Sequence, residues 1–174
     1  MIYHSISLVE VDGEWTSHEL GKPSNHFKKG YVKAGKWLIA RTQLKSGPVV
    51  GRFNKGGKRM PAVSLNGKKS VSKTGTIEVL KTPAADVTVE WIKGNTGSPP
   101  PTGAVIAGTK KDGTPLYVVE SGGMPGYYDG SKKCVRVWPA KPACASDFSY
   151  LTFTSLGKSS LTLIMLSLHR HICR

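Results

Sequence analysis

The chain has 174 residues, 39% of them hydrophobic and 8% aromatic, with a net charge of +14. That length suits one ordinary core or two small coupled ones, and that composition excludes a disordered chain. The charge excludes an acid-rich surface and points to anionic partners such as nucleic acid, acidic glycans or anionic lipid heads.

In chain order, short segments punctuated by Gly, Pro, Asn, Asp and Ser predict strands over 5–11, 37–42, 49–53, 76–81, 86–92, 104–108, 116–119, 134–138 and 149–154. No window before residue 155 shows a capped helical period. Asp112-Gly113 marks a tight hairpin between Val105 and Leu116, and Pro99-Pro100-Pro101 marks a loop that cannot join a ladder. The fold class is therefore all-β, a sandwich- or prism-like body of antiparallel sheets.

The chain also repeats itself. Trp15, Gly21 and Pro23 recur as Trp91, Gly97 and Pro99, at an offset of 76 residues. Residues 37–41 align with 116–120, Gly51-Arg52-Phe53-Asn54 with Gly126-Tyr127-Tyr128-Asp129, and 77–80 with 150–153. Such self-similarity predicts two tandem units. The expected division is a first strand over 1–14, repeat one over 15–83, repeat two over 84–153, and a tail over 154–174 outside the fold. Each unit is too small to be stable alone, so the two are expected to form one pseudo-symmetric body.

Repeat one carries the charge. No acidic residue lies between Glu19 and Glu78, whereas Lys22, Lys28, Lys29, Lys33, Lys36, Arg41, Lys45, Arg52, Lys55, Lys58, Arg59, Lys68, Lys69 and Lys73 do. The three cysteines form no pairing framework. Cys134 and Cys144 could bridge, but Cys134 is expected to stay a strand thiol, and no Cys/His cluster has zinc spacing. The N-terminus lacks a basic region and a long apolar run, and 161–168 is too short to span a bilayer. These features predict a cytoplasmic chain with no transmembrane segment.

No nucleophile elbow, zinc-protease helix or phosphate loop occurs, and His4, His18 and His26 lie near no candidate nucleophile in sequence. The expectation is no enzyme activity and no cofactor. Polar and aromatic groups on loops of a rigid β body suit a binding module. For a sugar, the right residue types are Asp112, Arg52, Trp37, Tyr117, Tyr127 and Tyr128, which offer a carboxylate, a cation and aromatic planes.

Trp91, Pro100-Pro101-Thr102-Gly103-Ala104-Val105, Gly108-Thr109, Asp112-Gly113-Thr114-Pro115-Leu116-Tyr117-Val118, Pro125-Gly126 and Tyr150-Leu151 together resemble the DM-nine (DM9) repeat. This is the tandem unit of natterin-like and lectin-like proteins, and repeat one resembles it more weakly. The resemblance implies two interlocked all-β repeats, no catalysis, and binding of mannose-type glycans in innate immune recognition. It gives the sugar-holding roles to the Asp of an Asp-Gly turn and the Lys of a Pro-Gly-Lys turn. In repeat two these positions are Asp112 and Tyr127, with Tyr127 stacking on the sugar ring and Tyr128 beside it. In repeat one they are Ala34 and Arg52. The expected partners are glycans, polyanions through the basic first repeat, and a second copy of the chain in a homodimer. The rival readings are a polyanion binder and a self-associating scaffold whose sugar sites have decayed.

Overall fold

The computed structural model of the chain describes residues 8–10, 12–22, 30–54, 57–139 and 144–156. The described residues form two antiparallel seven-stranded sheets and no helix. The first sheet holds β2 (Trp15–Glu19), β3 (Lys33–Ala34), β4 (Trp37–Leu44), β5 (Gly47–Phe53), β6 (Met60–Val63), β7 (Lys69–Ser72) and β8 (Thr76–Leu80). The second holds β1 (Leu8–Glu10), β9 (Val87–Lys93), β10 (Ile106–Thr109), β11 (Pro115–Ser121), β12 (Met124–Asp129), β13 (Cys134–Val137) and β14 (Ser149–Leu156). The strand order is β2-β8-β4-β5-β6-β7 in one, with β3 on β4. In the other it is β1-β14-β11-β12-β13, with β10 on β11 and β9 on β14.

The internal repeat is visible residue by residue in the registers. Trp15 pairs with Leu80 as Trp91 pairs with Leu151. Ala40 lies between Gly51 and Val79 as Val119 lies between Gly126 and Tyr150. Leu38 pairs with Phe53 as Tyr117 pairs with Tyr128. The closing strands need one correction. Val79 matches Tyr150 and Leu80 matches Leu151, two residues from the sequence alignment. A two-residue slip keeps every side chain on its own face, so hydrophobic alternation alone cannot detect it.

The two sheets share one core. Ile39, Val50, Phe53 and Leu80 from the first pack in a single cluster with Leu116, Val118, Tyr127, Leu151 and Phe153 from the second. Burial of each such side chain contributes about 1.5–3 kcal/mol, which neither sheet could collect alone. Arg41 ties the sheets further. Its Nη1 donates to the Ala107 carbonyl at 2.9 Å, its Nε pairs with Glu78 at 2.8 Å, and its guanidinium lies 4.3 Å from the Trp15 ring centre. Gly35 (φ +55°) brings one hairpin onto another, because a Cβ there would stand 2.9 Å from the Gly123 carbonyl oxygen. A second cluster, Val119, Tyr128, Val135, Val137, Phe148 and Tyr150, fills the outer face of the second sheet.

Three expectations change. Cys134, on β13, is bonded to Cys144, because the chain after β13 turns back so that the Ala145 N–H reaches the Val135 carbonyl at 3.3 Å. The tail boundary moves: β14 continues through Leu156, pairing Thr154 and Ser155 with β9 and with β1. The N-terminal strand is described only over Leu8–Glu10, where it closes the edge of the second sheet. The rest of that prediction, with His4, Pro23, His26, Lys28, Lys29, Lys55 and residues 157–174, lies outside the described residues.

Candidate functional site

The two repeats differ most where sugar-holding residues were expected. In repeat two, β10 and β11 are joined through residues 110–114. Asp112 makes an Asx turn there, its Oδ1 accepting the Thr114 N–H at 2.9 Å. Its Oδ2 lies 3.4 Å from Lys110 Nζ. The Thr114 N–H, then Lys110, holds the Asp112 carboxyl below the usual carboxylate range.

Lys110 is the centre of this cluster. Its Nζ donates to Ser131 Oγ at 2.6 Å and pairs with Asp129 Oδ1 at 3.3 Å. Asp129 Oδ1 also accepts the Ser131 N–H at 3.1 Å and the Ser131 hydroxyl at 2.7 Å. Burial of the ammonium opposes its charge, but Asp129 and Asp112 more than offset this and hold Lys110 above its ordinary value. The polar groups of this end are thus largely engaged with one another.

Tyr127 does not reach a surface. It is fully buried in the shared core, so the expected stacking on a sugar ring has no open face to use. The reason lies in strand alternation. Tyr127 stands on the β12 face that packs over β5, where repeat one has Arg52. Among the described residues its hydroxyl has no hydrogen-bond partner. Burial pushes the phenol pKa well above its usual value of 10.0, and Asp129 adds to this while Arg136 opposes it. The folded state therefore holds this proton more tightly than the unfolded chain. Stability is unaffected below pH 10, the phenol's ordinary value, and falls as pH rises above it. Tyr127→Phe should flatten that alkaline loss. It should also raise stability at pH 7 by about 1 kcal/mol, because it removes an unpartnered buried hydroxyl. Urea titrations of both proteins at pH 7 and above pH 10 test this; a destabilised Tyr127→Phe would show that the hydroxyl is paired.

Tyr128 is also buried, stacked on Phe148 at 5.8 Å with its hydroxyl donating to the Thr96 carbonyl at 3.1 Å. It lines a cleft together with Pro99, Pro100, Tyr117 and Lys133.

Repeat one is built differently. Ala34 pairs with Trp37 where Gly108 pairs with Leu116, so two residues join β3 to β4 where seven separate the matched positions in repeat two. Ala34 is buried and matches Gly108, and repeat one has no counterpart of the Asp112 turn. Beside this shortened hairpin lies an open pocket of about 440 Å³ lined by Trp37, Arg52, Asn54, Lys58 and Arg59. Arg52 lies 4.4 Å from the Trp37 ring centre, and Lys36 Nζ 5.2 Å from it. Arg52 Nη1 also donates to Met124 Sδ of repeat two at 3.7 Å.

The structure therefore gives Arg52 a pocket, leaves Asp112 exposed in a separate cluster, and buries Tyr127 and Tyr128. Sequence reasoning missed Asn54, Lys58 and Arg59 as a site, and Lys110, Asp129 and Ser131 as a network. The alignment of Asn54 with Asp129 was the available signal for both.

Two sheets with internal repeat symmetry, and loops that carry polar and aromatic groups, define a tandem-repeat all-β scaffold. The family model for the DM9 repeat matches residues 31–140, more than half of the chain, and the chain belongs to the DM9 repeat family, which is known for carbohydrate binding and immune roles. No curated protein matches it. Among the described residues no group of three metal-ligating side chains gathers, and no helix is long and apolar enough to cross a membrane.

Proposed function

We propose that the chain is a non-enzymatic carbohydrate-binding protein of lectin type, acting in recognition of mannose-type or other glycans, and that its sugar site is the Trp37–Arg52 pocket of repeat one. The observation that carries this is the pocket itself, where a guanidinium, a carboxamide and an indole converge around an open volume. A guanidinium offers five N–H donors and an amide offers both donor and acceptor, which suits vicinal hydroxyls. The matching end of repeat two has its Tyr127 in the core and its carboxylates shared with Lys110.

The proposed location is affected by the disulfide. Such bridges persist in oxidising compartments and are rare in the cytosol, so the Cys134–Cys144 pair weighs against a cytoplasmic protein. The homodimer belongs to the same proposal and is tested by light scattering on the full chain.

The test of the site is a glycan array followed by calorimetry on the best neutral hit. Arg52→Ala should weaken binding about tenfold, as loss of charge-assisted hydrogen bonds predicts. Asp112→Ala should change it less than about threefold, since that carboxylate already accepts the Thr114 N–H. The reverse order of effects would move the sugar to repeat two, and no glycan binding at all would end the proposal.

A further inference from the structure

Resting on the carbohydrate reading above, we propose that the Trp37–Arg52 pocket selects sugars bearing a phosphate or sulfate ester, with the ester held by Arg52, Lys58 and Arg59. Three cations line this pocket and no carboxylate does. Elsewhere Arg41 pairs with Glu78, Lys110 with Asp112 and Asp129, and the exposed Lys81 with Glu14. Among the described residues, Arg52, Lys58 and Arg59 have none. Their positive potential is open to an incoming anion.

The geometry of Arg52 favours an ester over a neutral hydroxyl. Its guanidinium is fixed against Trp37 at 4.4 Å and spends one N–H on the weak acceptor Met124 Sδ. The remaining donors of a rigid planar fork match two oxygens of a phosphate or sulfate. The Trp37 ring, which would otherwise stack on a neutral sugar, is already engaged by Arg52 and Lys36. Neighbouring Arg59 and Lys58 add charge, and Asn54 is left to read a ring hydroxyl. The counterpart positions in repeat two give no such site, because Tyr127 replaces Arg52 and the Lys110 ammonium is neutralised.

The test is calorimetry on the full chain with mannose, mannose 6-phosphate, galactose, galactose 6-sulfate, inorganic phosphate and a single-stranded oligonucleotide. At least one ester should bind about tenfold or more tightly than its parent sugar at low salt, and the gap should shrink as salt rises. The phosphate and sulfate arms then say which ester is preferred. Lys58→Gln and Arg59→Gln should each erase much of the gap, weakening the ester severalfold more than the parent sugar. Arg52→Lys should weaken the ester severalfold despite keeping the charge, because the fork is lost. Equal, salt-insensitive binding of esters and parent sugars would overturn this proposal and leave the carbohydrate reading standing. Inorganic phosphate binding as tightly as the sugar esters, or the oligonucleotide displacing them, would overturn it in favour of a plain anion or nucleic-acid site. Failure of every sugar and ester to bind would remove both readings.

Discussion

Gly126→Ala is expected to be the most damaging small substitution in the molecule. Gly126 sits in mid-strand, paired with Val119 on one side and Val137 on the other. A Cβ at this position would run into the Arg136 carbonyl oxygen, and would also stand 2.6 Å from Val137 Cγ1. The obstacle is backbone inside a hydrogen-bonded ladder, which cannot step aside as the end of a flexible side chain can. Overpacking of this kind costs about 3 kcal/mol, and in a chain of this length that lowers the melting temperature by roughly 6–12 °C. The repeat supplies an internal check. Gly51 is the matched residue, and its Cβ would meet the Pro61 carbonyl oxygen, with Ala62 Cβ at 2.9 Å. Gly51→Ala should therefore fail in the same way and by a similar amount. Gly97→Ala, whose added Cβ would meet only Asn95 Oδ1 at 3.4 Å, should stay within about 0.5 kcal/mol of the parent. Thermal melts of the three variants decide it: a Gly126→Ala protein melting like Gly97→Ala would disprove the close pairing of β12 with β13 at Gly126.

The all-β class and the twofold repeat were legible because they rest on patterns that survive in any such chain: short apolar runs, turn residues, and matched tryptophans. The strands that escaped notice are those whose residues carry breakers or polar side chains. β12 begins Met-Pro-Gly and β6 contains Pro61, while β7 reads Lys-Ser-Val-Ser. They form because neighbouring strands supply the ladder, which propensity alone cannot report. The site was half legible for a similar reason. Arg52 was found by its alignment with a sugar-binding position, and it does line a pocket. Tyr127 occupies the same position in repeat two, but its side chain replaces a half-buried cation with a ring that completes the core. Residue type cannot tell an aromatic that binds from one that packs. Asp112 and Ala34 were matched by counting along the chain, whereas the pairing register shows that the hairpin of repeat one is shortened. Lys58 and Arg59 lie in a loop with no motif, and only folding brings them beside Trp37.

Removing the Cys134–Cys144 bridge should cost the second sheet its outer cluster while sparing the pocket of the first. The bridge joins residues ten apart in sequence, from buried Cys134 on β13 to exposed Cys144. In the chain-entropy view, closing a loop of that length is worth about 2.5–3 kcal/mol. The returning segment carries Phe148, which stacks on Tyr128 at 5.8 Å and packs against Tyr150 at 5.2 Å. Without the bridge, the segment from 144 to 148 keeps the Ala145 N–H on the Val135 carbonyl at 3.3 Å, the Ser121 hydroxyl on the Asp147 carbonyl at 2.7 Å, the Gly94 N–H on the Phe148 carbonyl at 2.8 Å and an exposed Lys93–Asp147 pair at 3.7 Å. Cys134→Ala/Cys144→Ala should therefore lower the melting temperature by roughly 5–12 °C and weaken the near-ultraviolet signal of the stacked rings. Trp37 and Arg52 belong to the opposite sheet and Asn54 follows its β5, so affinity at their pocket should survive at temperatures where the variant remains folded. Reductant added to the parent protein should reproduce the same shift, and alkylation before reduction should modify neither bridged cysteine. If reductant leaves the melt unchanged and Cys134 and Cys144 alkylate without reduction, the bridge does not form. Phe148 would then be held by ring packing and by the Gly94 N–H on its carbonyl, and the argument for an oxidising compartment would fall with the bridge.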